Sequence, residues 1–255
     1  GFVGGMMAHS GTSGFLGALV AGFAAGYIIL GLRKVCEKLP EALEKIAPVL
    51  IYPVVGILIM GLLMLFVVEP IMGGINTALN NGLTSMGSSS KIILGLILGG
   101  MMAIDMGGPF NKAAYVFGSA AIAAGNYDIM AAVMVGGMVP PCAIALATLL
   151  FKDKDRFTKE ERESGPTNFI MGLAFITEGA IPFAAADPLH VLPACIVGSG
   201  LAGAMSMAFG CTLMAPHGGI FVVPVMGNAV MYLVALVVGT VVSAVLLGLL
   251  KKKNA

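Results

Sequence analysis

Residues 92–124 read IILGLILGGMMAI-DMGGPFNK-AAYVFGSAAIAA, and the interruption in the middle decides how the chain folds. The apolar run Ile92–Ile104 is 13 residues long, too short for the roughly 20 residues that carry a helix across a bilayer. Asp105-Met106-Gly107-Gly108-Pro109-Phe110-Asn111-Lys112 follows, and then a second short apolar stretch, Ala113–Ala124. Two half-length helices broken by Gly-Gly-Pro and by charges describe a discontinuous or re-entrant membrane segment. Irregular backbone is tolerated at membrane depth only where protein or a water-filled cavity surrounds it.

The rest of the chain supports a lipid solvent. Hydrophobic residues make up 58% and charged residues 11%, with a mean hydropathy of +0.98, more apolar surface than one soluble core of this length can bury. Apolar runs at about Gly14–Leu32, Ile46–Val68, Ile129–Phe151, Leu189–Met214 and Val225–Leu250 predict about five full spans. A second broken segment is predicted where Asn168–Ile176 meets Thr177-Glu178-Gly179-Ala180-Ile181-Pro182 and then Asp187-Pro188. The fold class is therefore all-α and polytopic, with two broken-helix hairpins. Basic residues cluster in Arg33–Lys45, in Lys152–Arg162 and in Lys251-Lys252-Lys253, which places these segments and the C-terminus in the cytoplasm. The Glu178 hairpin should then enter and leave from that side. Glu69–Ser90, rich in Gly, Asn and Ser with Ile71, Ile75, Leu79 and Leu83 at helical spacing, is expected to be an outer interfacial helix and loop.

Several function classes drop out. A formal net charge of +1 provides no broad basic surface for nucleic acid. Cys36, Cys142, Cys195 and Cys211 form no C-x-x-C pair and have no histidine at zinc-ligand spacing, so they read as reduced structural thiols. The 18 methionines fill gaps between helices, and the 36 glycines let helices pack closely. No metal or cofactor motif is present. The opening at Gly1 does not read as a signal peptide, and upstream spans are expected to be missing.

A charge within a membrane segment costs about 2.5–3.5 kcal/mol on insertion scales, and so it usually faces a cavity, a partner or a substrate. Asp105, Lys112, Glu178, Asp187 and His217 are such charges. The plainer reading for each is an interfacial or satisfied charge, with Asp105 and Lys112 neutralising one another. A neutral polyol needs groups that donate and accept hydrogen bonds in pairs, and Thr177, Glu178, Asn111, Lys112 and His217 form such a set. An ionised Glu178 can accept two hydroxyls in charge-assisted bonds about twice as strong as neutral ones. His9 and His190 read as packing or interfacial residues, and Asp187, before Pro188, as a helix cap.

Three stretches carry a resemblance. Asp105–Tyr115, Phe175-Ile176-Thr177-Glu178-Gly179-Ala180-Ile181-Pro182-Phe183-Ala184 and Met214-Ala215-Pro216-His217-Gly218-Gly219 resemble, in order, the IIC domain of bacterial fructose-family phosphotransferase permeases, across nearly the whole chain. The resemblance implies an inner-membrane homodimer in contact with lipid. Residues 1–90 would be an N-terminally incomplete scaffold and dimerisation part, and 91–255 a transport part bearing both hairpins. It implies fructose or a related hexose as substrate, held by Glu178, with Asp105, Asn111, Lys112, Thr177 and His217 around it. It also implies an elevator-like movement that delivers the sugar to a phosphorylated IIB domain or subunit. The phosphorylating cysteine would lie on that IIB partner: Cys36 is followed by Glu37-Lys38, which does not cradle a phosphate. The chain would then be the membrane component of a protein-N(pi)-phosphohistidine:fructose phosphotransferase, with no catalytic residue of its own.

Two other readings compete. Asp105, Glu178 and Asp187 in broken helices also suit an ion-coupled secondary transporter. Gly11-Thr12-Ser13-Gly14 matches the short signature of intramembrane serine proteases, with His217 as base, but four residues in a Gly-rich chain match easily by accident.

Overall fold

A computed structural model describes residues 1–40, 46–85, 88–151 and 156–251. Among these the secondary structure is helical, apart from one isolated antiparallel bridge between Thr212 and Gly227. Among the described residues five helices are long and apolar enough to cross a membrane: Gly14–Cys36, Ala47–Ile75, Asp128–Leu150, Pro188–Ala208 and Ala229–Leu250. The chain divides into two compact units, residues 1–85 and 86–255. Of the basic clusters read from sequence, Lys45, Lys152, Lys154, Lys252 and Lys253 lie outside the described residues.

In the first unit, α1 (Phe2–Ser10) and α2 (Gly14–Cys36) precede a helical rod. The rod consists of a π turn at Ala47–Ile51, α3 (Tyr52–Leu63), a second π turn at Met64–Val68, and α4 (Glu69–Ser85). Of the Glu69–Ser90 stretch, expected to be an interfacial helix and loop, Glu69–Ser85 is helical and continues the rod from Val68 without a turn. Pro48, Pro53 and Pro70 each lie in or beside a π turn, where the hydrogen-bond ladder is already widened and a missing N–H is tolerated. Ala8, Ala21, Met60, Met64 and Val68 form the unit's buried core.

Glu69 was not anticipated as a structural residue. Its carboxylate accepts hydrogen bonds from the Ser13 hydroxyl at 2.5 Å and from the Thr12 and Ser13 amides at 3.0 and 3.3 Å. It thus satisfies the amides of the two residues that lead into α2, at a helix end where negative charge is favoured. The Gly11–Gly14 motif is consequently a helix start pinned by a carboxylate, with the Ser13 hydroxyl taken up by Glu69. Ser13→Ala is expected to lower stability by about 1 kcal/mol and to leave transport unchanged, as checked by thermal melting and uptake.

The second unit is built around α7 (Asp128–Leu150), whose apolar window is 94% buried, against 11% for α2. Surrounding it are α5 (Ser88–Ile104), α6 (Pro109–Ala123), α8 (Lys159–Ser164), α9 (Thr167–Leu173), α10 (Ile181–Ala186), α11 (Pro188–Ala208) and α12 (Ala229–Leu250). Helix α5 packs against both α7 and α11 at backbone contact: a Cβ on Gly99 would strike the Ser199 carbonyl oxygen, and one on Gly136 would strike Gly99. Gly198 and Gly239 allow the same approach between α11 and α12. This is the packing that small residues permit in membranes.

Candidate functional site

Both expected helix breaks are present. The first is turned by Met106 (φ 47°) and Gly107 (φ 123°) and the second by Phe175 (φ 62°). Met106 and Phe175 are bulky, buried residues in the left-handed region that L side chains usually avoid.

At the first break, Asp105 accepts from the Phe110 amide at 2.7 Å and from the Asn111 amide at 3.0 Å. Pro109, which has no N–H, opens α6, so the carboxylate satisfies the next two donors at a helix end where negative charge is favoured. Asn111 is buried and donates at 2.8 Å to the carbonyl of Met102 in the last turn of α5. Lys112 is exposed and donates to the Gly107 carbonyl. Among the described residues Asp105 and Lys112 form no ion pair, so each is satisfied by backbone rather than by the other.

At the second break, Thr177 is buried and its hydroxyl donates at 2.9 Å to the carbonyl of Gly137 in α7. The tandem Pro140-Pro141 lies within α7, and Pro141 has no N–H to offer the carbonyl four residues back. Thr177 fills the vacancy that Pro141 creates at Gly137 and locks the hairpin to the central helix. Glu178, one residue on, is exposed. Its Cγ and Oε1 pack on Gly107, where a Cβ would come within 2.9–3.0 Å of them. The tips of the two hairpins therefore touch, with Glu178 and Lys112 both against Gly107.

The stretch between α11 and α12 contains more structure than a separator. Paired backbone bonds of 3.1 and 2.9 Å between Thr212 and Gly227 pinch it into a loop. Its tip carries Gly218 (φ 132°) and Gly219 (φ 57°), and Gly219 lies against the Leu173 carbonyl and the Phe175 amide. The same tip places the exposed His217 ring 5.0 Å from the ring of Phe175, which is 6.3 Å from Tyr115. Phe175 is the residue sequence reading missed. It joins the three polar islands, and apart from its place in a recognisable motif no residue pattern marked it.

The far end of the second hairpin is also polar. Arg156, Thr158, Glu161, Asp187, His190 and Lys251 line a cavity of about 330 Å³. Asp187 stands at the start of α11 without capping it through its side chain; instead it pairs with His190 Nδ1 at 2.6 Å. That corrects the side-chain cap expected of Asp187; His190, read as a packing or interfacial residue, is the partner of that carboxylate. Lys251 pairs with Glu161 at 2.7 Å and lies 4.6 Å from the centre of the Phe157 ring. The segment before α9, the end of α10 and the end of α12 thus share one face, so the Glu178 hairpin leaves and returns on the same side. The four cysteines are buried and unpaired.

A multi-pass helical protein whose exposed charges gather where broken helices meet has the build of a membrane transporter. The family model described as phosphotransferase system, EIIC, matches residues 3–198, and the chain belongs to that family. It is 54% identical over 252 residues to a "PTS system fructose-specific EIIABC component" of Bacillus subtilis, covering 99% of this chain and 39% of that protein. It is 52% identical to a "Fructose permease IIC component" of Bacillus amyloliquefaciens, with 99% and 82% covered. It is 48% identical to a "PTS system fructose-specific EIIB'BC component" of Escherichia coli, with 84% and 38% covered. The chain thus spans well under half the length of the EIIABC and EIIB'BC relatives. No solved structure matches it.

Proposed function

We propose that this chain is the sugar-conducting part of a fructose phosphotransferase permease, and that Glu178, Lys112 and His217 hold the sugar. The observation that carries the reading is the exposed Glu178 carboxylate on one broken-helix tip, packed on Gly107 of the other, in a chain about half identical to fructose-specific components. The carboxylate accepts sugar hydroxyls, the ammonium donates, and the imidazole does either. Asp105, Asn111 and Thr177 support the site by holding the hairpins in shape. Fructose or a related hexose is the substrate, and a phosphorylated IIB domain or subunit is the partner that modifies it.

On this reading the second unit is the transport part, and the first unit is the scaffold through which two copies dimerise in lipid. The face bearing Arg156, Glu161 and Lys251 is cytoplasmic, which puts the C-terminus inside. The ion-coupled alternative is weakened because Asp105 is occupied by backbone amides and Asp187 by His190. The test is uptake of labelled fructose into vesicles. Dependence on phosphorylated IIB is expected, and uptake driven by a proton or sodium gradient without IIB would overturn the reading.

A further inference from the structure

We propose that Phe175 is a positioning residue whose ring sets the His217 imidazole at the sugar site and fixes the direction in which Thr177 and Glu178 leave α9. The inference rests on the sugar-binding reading above and adds a residue to it.

Helix α9 ends in a two-bond terminator: the Ile176 amide donates to the Met171 carbonyl at 2.8 Å and the Phe175 amide to the Gly172 carbonyl at 3.0 Å. Such a terminator needs a left-handed residue, usually glycine, at the place Phe175 holds. The chain uses the same device twice more, each time with glycine. After α6 the residue is Gly125 (φ 83°), with Asn126 bonded to Ala121; after α11 it is Gly210 (φ 63°), with Cys211 bonded to Ser206. A Cβ at either glycine would meet nothing within 4 Å. Glycine suffices where only the turn matters, so a phenylalanine at the third turn points to a requirement for its ring.

The ring's surroundings show what that requirement is. It is 6% exposed and meets three separate elements: Tyr115 of α6 at 6.3 Å, the His217 ring of the 212–227 loop at 5.0 Å, and Gly137 of α7, where a Cβ would strike it. Gly137 is also the residue that receives the Thr177 hydroxyl. One ring therefore registers the His217 loop against the hairpin that carries Glu178. It touches no group that must itself meet the sugar except His217, so it acts through that imidazole and through the path of the backbone.

The test measures fructose affinity and thermal midpoint in the solubilised full-length permease for wild type, Phe175→Leu, Phe175→Met, Phe175→Tyr, His217→Ala and Phe175→Leu with His217→Ala. Loss of the ring should weaken binding about tenfold, as loss of one well-aimed hydrogen bond does. Tyr keeps the aromatic ring and should bind more tightly than Leu or Met, and the loss in the double variant should fall short of the two single losses combined, because linked residues are non-additive. Wild-type affinity in a folded Leu or Met variant, or losses that simply add, would overturn the inference. So would a Leu and a Met variant that both fail to fold while Tyr folds, since the ring would then be structural only. A wild-type chain that binds no sugar would overturn the underlying reading, and this inference with it.

Discussion

Glu178→Gln is expected to weaken fructose binding by about 10- to 150-fold while leaving insertion and thermal stability unchanged. The range follows from the about 1.5–3 kcal/mol that a hydrogen bond to a charged group contributes. Stability should hold because Glu178 is exposed and, among the described residues, makes no ion pair or side-chain hydrogen bond on which the fold depends. The amide keeps the shape that packs on Gly107 but loses the charge and one acceptor. Asp105→Asn is the informative contrast: it loosens the start of α6 and should cost stability along with affinity. Isothermal titration of both variants beside their melting curves separates the roles, and undiminished affinity in Glu178→Gln would remove that residue from the site.

The second large effect is structural. Gly99→Ala places a methyl group against the Ser199 carbonyl oxygen and within 3.2 Å of Gly203 Cα. Backbone atoms cannot swing away as a side chain can, so α5 must separate from α11. Overpacking of this kind costs about 1–3 kcal/mol, and here it also loosens the contact of α5 with Gly136 in α7. The control is Gly26→Ala in α2, where the new methyl group meets nothing within 4 Å, and helix preference favours alanine by about 0.5–1 kcal/mol. Melting of the solubilised chain should fall for the first and hold or rise for the second. Equal melting temperatures would contradict the packing described.

The broken segments were legible because Gly-Gly-Pro and charges inside an apolar run leave few structural options. The long rod from Ala47 to Ser85 was less so. Its polar composition after Glu69 resembles an exit from the membrane, while the π turns that carry the helix past Pro48, Pro53 and Pro70 leave no residue signature. The polar islands were visible as residue types, but their division of labour was not. Thr177 reads as a sugar ligand until Pro141, distant in sequence, is seen to leave the Gly137 carbonyl open. Asp105 and Lys112 read as a neutralising pair until the α6 amides and the Gly107 carbonyl are seen to take them. The Thr212–Gly227 pinch joins residues on either side of a loop whose sequence shows only punctuation, so the route by which His217 reaches Phe175 had to be seen in three dimensions.

The most direct measurement of the central claim is the chemical form of labelled fructose inside vesicles at the earliest times after phosphorylated IIB is supplied at the inner face. The account predicts that the label appears as a phosphate ester from the first time point, that none accumulates without IIB, and that Glu178→Gln abolishes the signal at low sugar concentration. Free fructose accumulating against its gradient in vesicles that lack IIB would contradict it.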